Sequence, residues 1–259
     1  MADENEIMEG MGGFSGKVIT VSEAVEDIML VWGLQQPCFS TQNAFVLQAS
    51  LLLPLDACGR SLSIIQSPCS LGTPGVTGSV MWDSGVVLGK FLEHAMETAQ
   101  IDLRDKKVVE LGSGCGLVGC IAALLGAQVV LTDMQDRLKL LKKNVEENLY
   151  GNVRGSATVI ELTWGDKPDP KLNNPSPDFV LGSDVIYSEE AVIDLIETLV
   201  ELCGPQTTII LAGELRNDAN LEYFLEAAMK VFVVGRIGQS QWHPDYCSSR
   251  VVMYVLVKK

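Results

Sequence analysis

A chain of 259 residues, 47% of them hydrophobic, carries enough apolar surface for one sizeable core, and one α/β domain with an extension accounts for the length. Its formal charge of −14 repels phosphate and no run of Lys or Arg exceeds two, so nucleic acid is disfavoured as a partner. No apolar run reaches the roughly 18–20 residues of a membrane span, and no membrane partner is expected.

Cys38, Cys58, Cys69, Cys115, Cys120, Cys203 and Cys247 form no Cys-x-x-Cys pair, and His94 and His243 are the two histidines, so no metal site is expected. Reduced, mostly buried thiols suit a cytoplasmic or nuclear setting. Asp3, Glu4, Glu6 and Glu9 precede the first lysine, Lys17, which is unlike a signal or transit peptide.

Residues 1–16 are acidic and glycine-rich without hydrophobic periodicity, and a disordered acidic tail is expected there. Residues 17–78 read as a β-rich extension. Phe45 to Leu53 and Ser61 to Gln66 are its strand-like runs, separated by the turn Asp56-Ala57-Cys58-Gly59, and a Pro- and Gly-punctuated connection runs from Ser67 to Gly78. Residues 79–259 form the main domain, which opens on a helix with Val87, Leu88, Phe91, Leu92 and Ala95 on one face.

Strands then alternate with helices. Strand-like runs cover Lys107–Leu111, Gln128–Thr132, Ala157–Leu162, Asp178–Ser183 and Thr207–Ala212; helical patterns lie near Leu117–Leu125, over Leu138, Leu141, Val145 and Leu149, from Glu189, and from Asn220. Such alternation implies a mostly parallel sheet with helices on both faces. Val231–Ile237 and Val251–Val257 have no helical pattern between them, so the last strand should pair antiparallel. The expectation is a Rossmann-like sheet of seven strands.

Gly114-Cys115-Gly116-Leu117-Val118-Gly119 satisfies G-x-G-x-x-G, a signature that dinucleotide sites share with other nucleotide-like cofactors. Glu110, two positions before Gly112, separates the readings. A carboxylate there repels a pyrophosphate but attracts the amino and sulfonium cations of S-adenosylmethionine. Asp133, ending the second strand, is placed to accept hydrogen bonds from ribose hydroxyls or to cap the Leu138 helix. Trp164 stands at the rim as an adenine platform or a lid residue, and Trp82 precedes the first core helix as a cofactor wall or a hydrophobic anchor.

Asp184 and Tyr187 follow the fourth strand at the edge where open α/β sheets place ligands, and an acid and a phenol three residues apart can clamp a substrate amine. Alternatively Asp184 satisfies local backbone donors and Tyr187 packs, with Ser188 capping the next helix. Glu214-Leu215-Arg216 reaches the same edge, either lining an acceptor channel or forming a surface ion pair.

Taken together, Val80–Leu88, Val109–Gly116, Leu131–Asp133, Leu162–Gly165 and Asp178–Glu190 resemble the seven-β-strand class I protein lysine methyltransferases of the methyltransferase-like 21 group, also called family 16, over residues 76–216. The resemblance implies that Trp82, Gly112, Ser113, Gly114, Gly116, Asp133, Trp164 and Ser183 bind S-adenosylmethionine, beside Glu110, and that Asp184 and Tyr187 form an Asp-x-x-Tyr catalytic motif. It also implies a protein substrate, of the kind of a chaperone, an AAA ATPase or an elongation factor. Two departures stand out: Ser84-Gly85 where relatives often carry two alanines, and Gly182-Ser183 where relatives often carry alanine before the aspartate. Another methyl acceptor, such as histidine or a small molecule, and a catalytically silent binding module are the competing readings. With no heptad or apolar stripe evident, a monomer is expected.

Overall fold

The computed structural model describes residues 7–37, 43–69 and 78–259. The chain begins with a hairpin of β1 (Ile7–Met11) and β2 (Phe14–Thr20), continues through α1 (Ala24–Gln35), and forms a second hairpin from β3 (Leu52–Ala57) and β4 (Arg60–Ile65). The alternating part then runs α2 (Asp83–Glu97), β5 (Lys107–Leu111), α3 (Leu117–Leu124), β6 (Gln128–Asp133), α4 (Leu138–Asn148), β7 (Ser156–Glu161), the short α5 (Pro170–Asn173), β8 (Phe179–Ser183), α6 (Glu189–Leu202), β9 (Thr208–Glu214) and α7 (Asp218–Val231). It closes with β10 (Phe232–Arg236) and β11 (Val251–Lys258).

The main sheet has the order β1-β2-β10-β11-β9-β8-β5-β6-β7. Strands β5 to β9 pair parallel, and β11 lies antiparallel between β9 and β10. The seven strands expected from the sequence are present in that arrangement. The sheet nevertheless has nine strands, because the β1–β2 hairpin adds to the edge of β10 through Gly235 opposite Thr20 and Arg236 opposite Ile19.

That hairpin corrects the expectation of a disordered tail for residues 7–16; residues 1–6 lie outside the described part. Met11 and Phe14 are buried with Val18 in the core, and the Phe14 and Phe91 rings stand 5.8 Å apart. Two large anchors among glycines give no periodicity, which is why composition alone reads this segment as unstructured.

The extension over 17–78 also differs from a purely β-rich reading. It contains α1, whose Ala24, Ile28 and Val31 are buried at helical spacing. Phe45 to Ser50 is turn and loop rather than strand; its Ala44 and Phe45 N–H groups donate to the Asp83 carboxylate at 2.6 and 3.0 Å. The β3–β4 hairpin stays outside the main sheet. Its backbone is satisfied by α4 instead: Asn144 exchanges hydrogen bonds with Ile65 N–H and carbonyl at 2.8 and 2.9 Å, and Asn148 does the same for Ser63 at 2.7 and 3.1 Å. Of the Ser67–Gly78 connection, residues 70–77 lie outside the described part.

Strand residues alternate between two cores, as the period of two requires. Val108, Leu131, Leu181 and Ile210 face α2, α3 and α4, whereas Val109, Val180, Ile209 and Leu211 face α1, α6 and α7. Among the described residues no helix is long and apolar enough to cross a membrane.

One buried polar group ties α1 to this frame. Arg236 Nε donates to Asp27 Oδ1 at 2.8 Å, and Tyr254 Oη donates to Asp27 Oδ2 at 2.9 Å; Asp27 and Arg236 are both buried. Burial and the Asp27 charge hold the Tyr254 phenol protonated, far above its usual range. Removing one partner leaves the other charge buried and unpaired, at a cost of about 3–5 kcal/mol. Asp27→Ala is therefore expected to lower unfolding free energy by about that amount in urea titration, and Asp27→Asn by less.

Candidate active site

Strands β5 and β8 are neighbours in the sheet while β6 and β9 flank them on opposite sides, so the strand order reverses here and the carboxyl ends are left uncovered. A cavity of about 490 Å³ occupies that edge. Ten of the eleven site residues expected from the sequence line it: Trp82, Glu110, Gly112, Ser113, Gly114, Asp133, Trp164, Ser183, Asp184 and Tyr187. They arrive from the N-cap of α2, from the ends of β5, β6 and β8 and from the loops after β5, β7 and β8, as distant in sequence as residues 82 and 187.

Gly116 is the exception. With φ of +85° it begins α3, and a Cβ added there would meet Leu141 Cδ1 at 2.6 Å. The left-handed backbone at this position favours glycine, and the Leu141 methyl group lies where a Cβ would stand. Residues to which sequence reasoning gave no site role include Met81, Gly85 and Val185, which lie within the resembling segments, and Arg137 and Asp194, which share the cavity wall but lie in no recognisable motif.

Glu110 sits beneath the first turn of α3, where its Oε2 accepts the Gly119 N–H at 3.1 Å. Burial pushes its carboxyl up to about 8, against the lowering effect of that hydrogen bond. The carboxylate expected to select a cationic ligand is therefore largely protonated near neutral pH until a cation approaches. Asp133 does not cap α4, whose first turn is preceded by Arg137; instead its two oxygens accept Gly114 N–H at 2.7 Å and Met134 N–H at 2.8 Å. Burial raises the Asp133 carboxyl too, with both backbone donors pulling it down. Each oxygen keeps a lone pair that a ligand hydroxyl can use.

Trp164 leans on the glycine loop, its Cζ2 within 3.2 Å of where a Gly112 Cβ would stand, and its ring lies 5.9 Å from that of Tyr187. Tyr187 is 54% exposed at the mouth, and burial of the rest of its ring, with the charges of Asp133 and Asp194, raises its phenol. Cys115 also lines the cavity, but burial lifts its thiol to about 12, so it remains neutral.

Asp184 accepts a backbone donor, as the alternative reading has it, though from the neighbouring strand, and also forms an ion pair. Its Oδ1 accepts the Glu214 N–H at 3.1 Å, while its Oδ2 accepts from Arg216 Nη2 at 2.6 Å. Ser188 does cap α6, accepting Ala191 N–H at 3.2 Å.

The departures at 84–85 and 182–183 meet in space. A Cβ on Gly85 would stand 3.0 Å from Met81 Cε and 3.3 Å from Ser183 Oγ, so glycine at 85 leaves room for both side chains.

Glu110 links pH to stability. Its folded value of about 8 exceeds the unfolded 4.5, so folding takes up a proton between those values; its contribution is fully present below 4.5 and is lost as pH rises through about 8. Thermal melts of the ligand-free protein should therefore show wild type losing stability relative to Glu110→Gln between pH 5 and pH 8.5.

A family model described as lysine methyltransferase matches residues 68–230. The chain is 43% identical over 162 residues to a protein N-lysine methyltransferase, METTL21A, of Mus musculus, covering 61% of this chain and 70% of the relative. It is 36% identical over 170 residues to EEF1A lysine methyltransferase 3 of Xenopus tropicalis, covering 65% and 70%. In fold it is similar to the glycopeptide N-methyltransferase MtfA, with a TM-score of 0.51 at 13% identity over 66% of this chain and 90% of that one. The matched span contains the glycine loop, Asp133, Trp164 and the Asp184–Tyr187 segment, and the chain belongs to the lysine methyltransferase family, whose methyl donor is S-adenosylmethionine.

Proposed function

We propose that residues 79–259 transfer methyl from S-adenosylmethionine to a lysine side chain presented by a folded protein, with Asp184 and Tyr187 receiving the amine. The observation that carries this is the single cavity in which the glycine loop and the Asp184–Tyr187 segment face one another, opening past the exposed Tyr187. A site shaped this way admits a long side chain from a macromolecule while the body of the partner stays outside.

The residues present fit the donor. The buried Glu110 and the glycine turn Gly112-Ser113-Gly114 are suited to its amino acid part, Asp133 to the ribose, Trp164 to the adenine face, and Trp82 and Ser183 to the wall between donor and acceptor. When bound, S-adenosylmethionine supplies an electrophilic methyl group on a sulfonium. The acceptor must be a neutral amine, whereas a free lysine titrates near ~10.4. Apolar walls from Val185 and Trp82 disfavour the ammonium, and the Asp184 carboxylate orients the nitrogen lone pair toward the methyl group. The ammonium proton leaves to solvent at the open mouth before attack.

An elongation factor is one candidate acceptor, because a relative is named for that substrate; a chaperone or an AAA ATPase is another by family resemblance. The acidic surface suits a basic substrate segment.

Cell extract incubated with tritiated S-adenosylmethionine should show a protein band labelled by wild type and lost with Asp184→Ala, and mass spectrometry of that band should place the methyl on lysine. Equal labelling by both proteins removes Asp184 from the reaction. In calorimetry, Gly85→Ala should weaken S-adenosylmethionine binding by about 3- to 10-fold through crowding of Ser183 Oγ, and Gly85→Ala with Ser183→Ala should restore it.

A further inference from the structure

Arg216 joins three elements whose ends meet at the acceptor side of the cavity. Its Nη2 donates to Asp184 Oδ2 at 2.6 Å, its Nε donates to Glu214 Oε2 at 3.2 Å, and its guanidinium carbon lies 3.8 Å from the centre of the Trp82 ring. Asp184 follows β8, Glu214 ends β9, and Trp82 precedes α2. Glu214 is nearly inaccessible and is held in turn by Arg250 Nη2 at 3.2 Å and by the Asp83 N–H at 3.1 Å.

An exposed ion pair would contribute little. This guanidinium differs because its planar fork is used on two carboxylates while its face is stacked on an indole, a combination a lysine ammonium cannot make. Asp184 also has φ of +58°, a left-handed conformation that L side chains rarely adopt. It is held there by its own N–H donating to Ala212 carbonyl at 2.8 Å, by Glu214 N–H, and by Arg216. Backbone strain of this kind persists where surrounding contacts over-determine it.

We propose that Arg216 is a positioning residue for methyl transfer, fixing the Asp184 carboxylate and the Trp82 indole relative to each other so that the acceptor amine is aimed at the methyl group. The inference rests on the reading that Asp184 receives the amine. Arg216 acts through Asp184 and Trp82, so its loss affects turnover more than donor binding.

The test uses the full-length enzyme, tritiated S-adenosylmethionine and cell extract as the acceptor pool, comparing wild type, Arg216→Gln, Arg216→Lys, Asp184→Asn and the Asp184→Asn/Arg216→Gln double variant. Labelling rate is titrated against S-adenosylmethionine, and donor binding and melting temperature are measured separately. Arg216→Gln should lower the maximal rate by about 10- to 100-fold with the donor KM and Kd changed less than about 3-fold. Arg216→Lys should recover only part of the rate, and the double variant should lose less than the product of the two single losses, because Arg216 acts in part through the Asp184 carboxylate.

Loss of donor affinity and melting temperature in step with rate would reduce Arg216 to a structural contact. A rate above wild type would make it a plug, and multiplied losses in the double variant would make the two residues independent; each overturns the proposal. Arg216→Gln at wild-type rate beside an impaired Asp184→Asn overturns this inference alone. Asp184→Asn at wild-type rate, or no labelling by wild type, overturns the underlying reading together with it.

Discussion

Parallel strands joined by right-handed crossovers send their helices to one face on one side of a starting strand and to the opposite face on the other side. In this protein β5 is that strand: β6 and β7 extend the sheet one way, β8 and β9 the other. The carboxyl ends of β5 and β8 are therefore the place where backbone turns outward without a helix lying across it. The glycine loop and Asp184 are brought to one cavity by that single reversal, since the former continues β5 and the latter continues β8.

Charge at this edge is organised in two separate groups. On the donor side Glu110 and Asp133 are buried beside backbone N–H groups, and both carboxyls titrate above their ordinary range because burial outweighs those donors. On the acceptor side Asp184 and Glu214 face two guanidinium groups, Arg216 and Arg250. The first group is left able to respond to an incoming cation; the second is already compensated within the chain.

Much of the alternating domain was legible in the sequence because its signals are local. Lys107–Leu111 is a strand with the expected bounds, the antiparallel last strand followed from the missing helix before Val251, and the glycine loop, Asp133, Trp164 and Asp184 announced themselves at strand ends. What was hidden depended on long-range partners. Nothing near Asp83 shows that its carboxylate would hold Ala44 and Phe45, and nothing in Glu214-Leu215-Arg216 shows that the guanidinium would lie on Trp82, 134 positions away in the chain. Gly116 has a structural side that the loop pattern did not show: its left-handed backbone begins α3 under Leu141 of another helix.

The β1–β2 hairpin also decides which backbone edge the sheet presents to its surroundings. Without it the sheet would end at β10, presenting unpaired backbone groups to any passing strand. With it the terminal strand is β1, five residues long, irregular between Glu9 and Met11, and interrupted by Gly10 at φ of +87°. A short bulged border of this sort accepts further strands poorly. The first few residues of the fold thus guard against edge-to-edge aggregation at the end of the sheet farthest from β7.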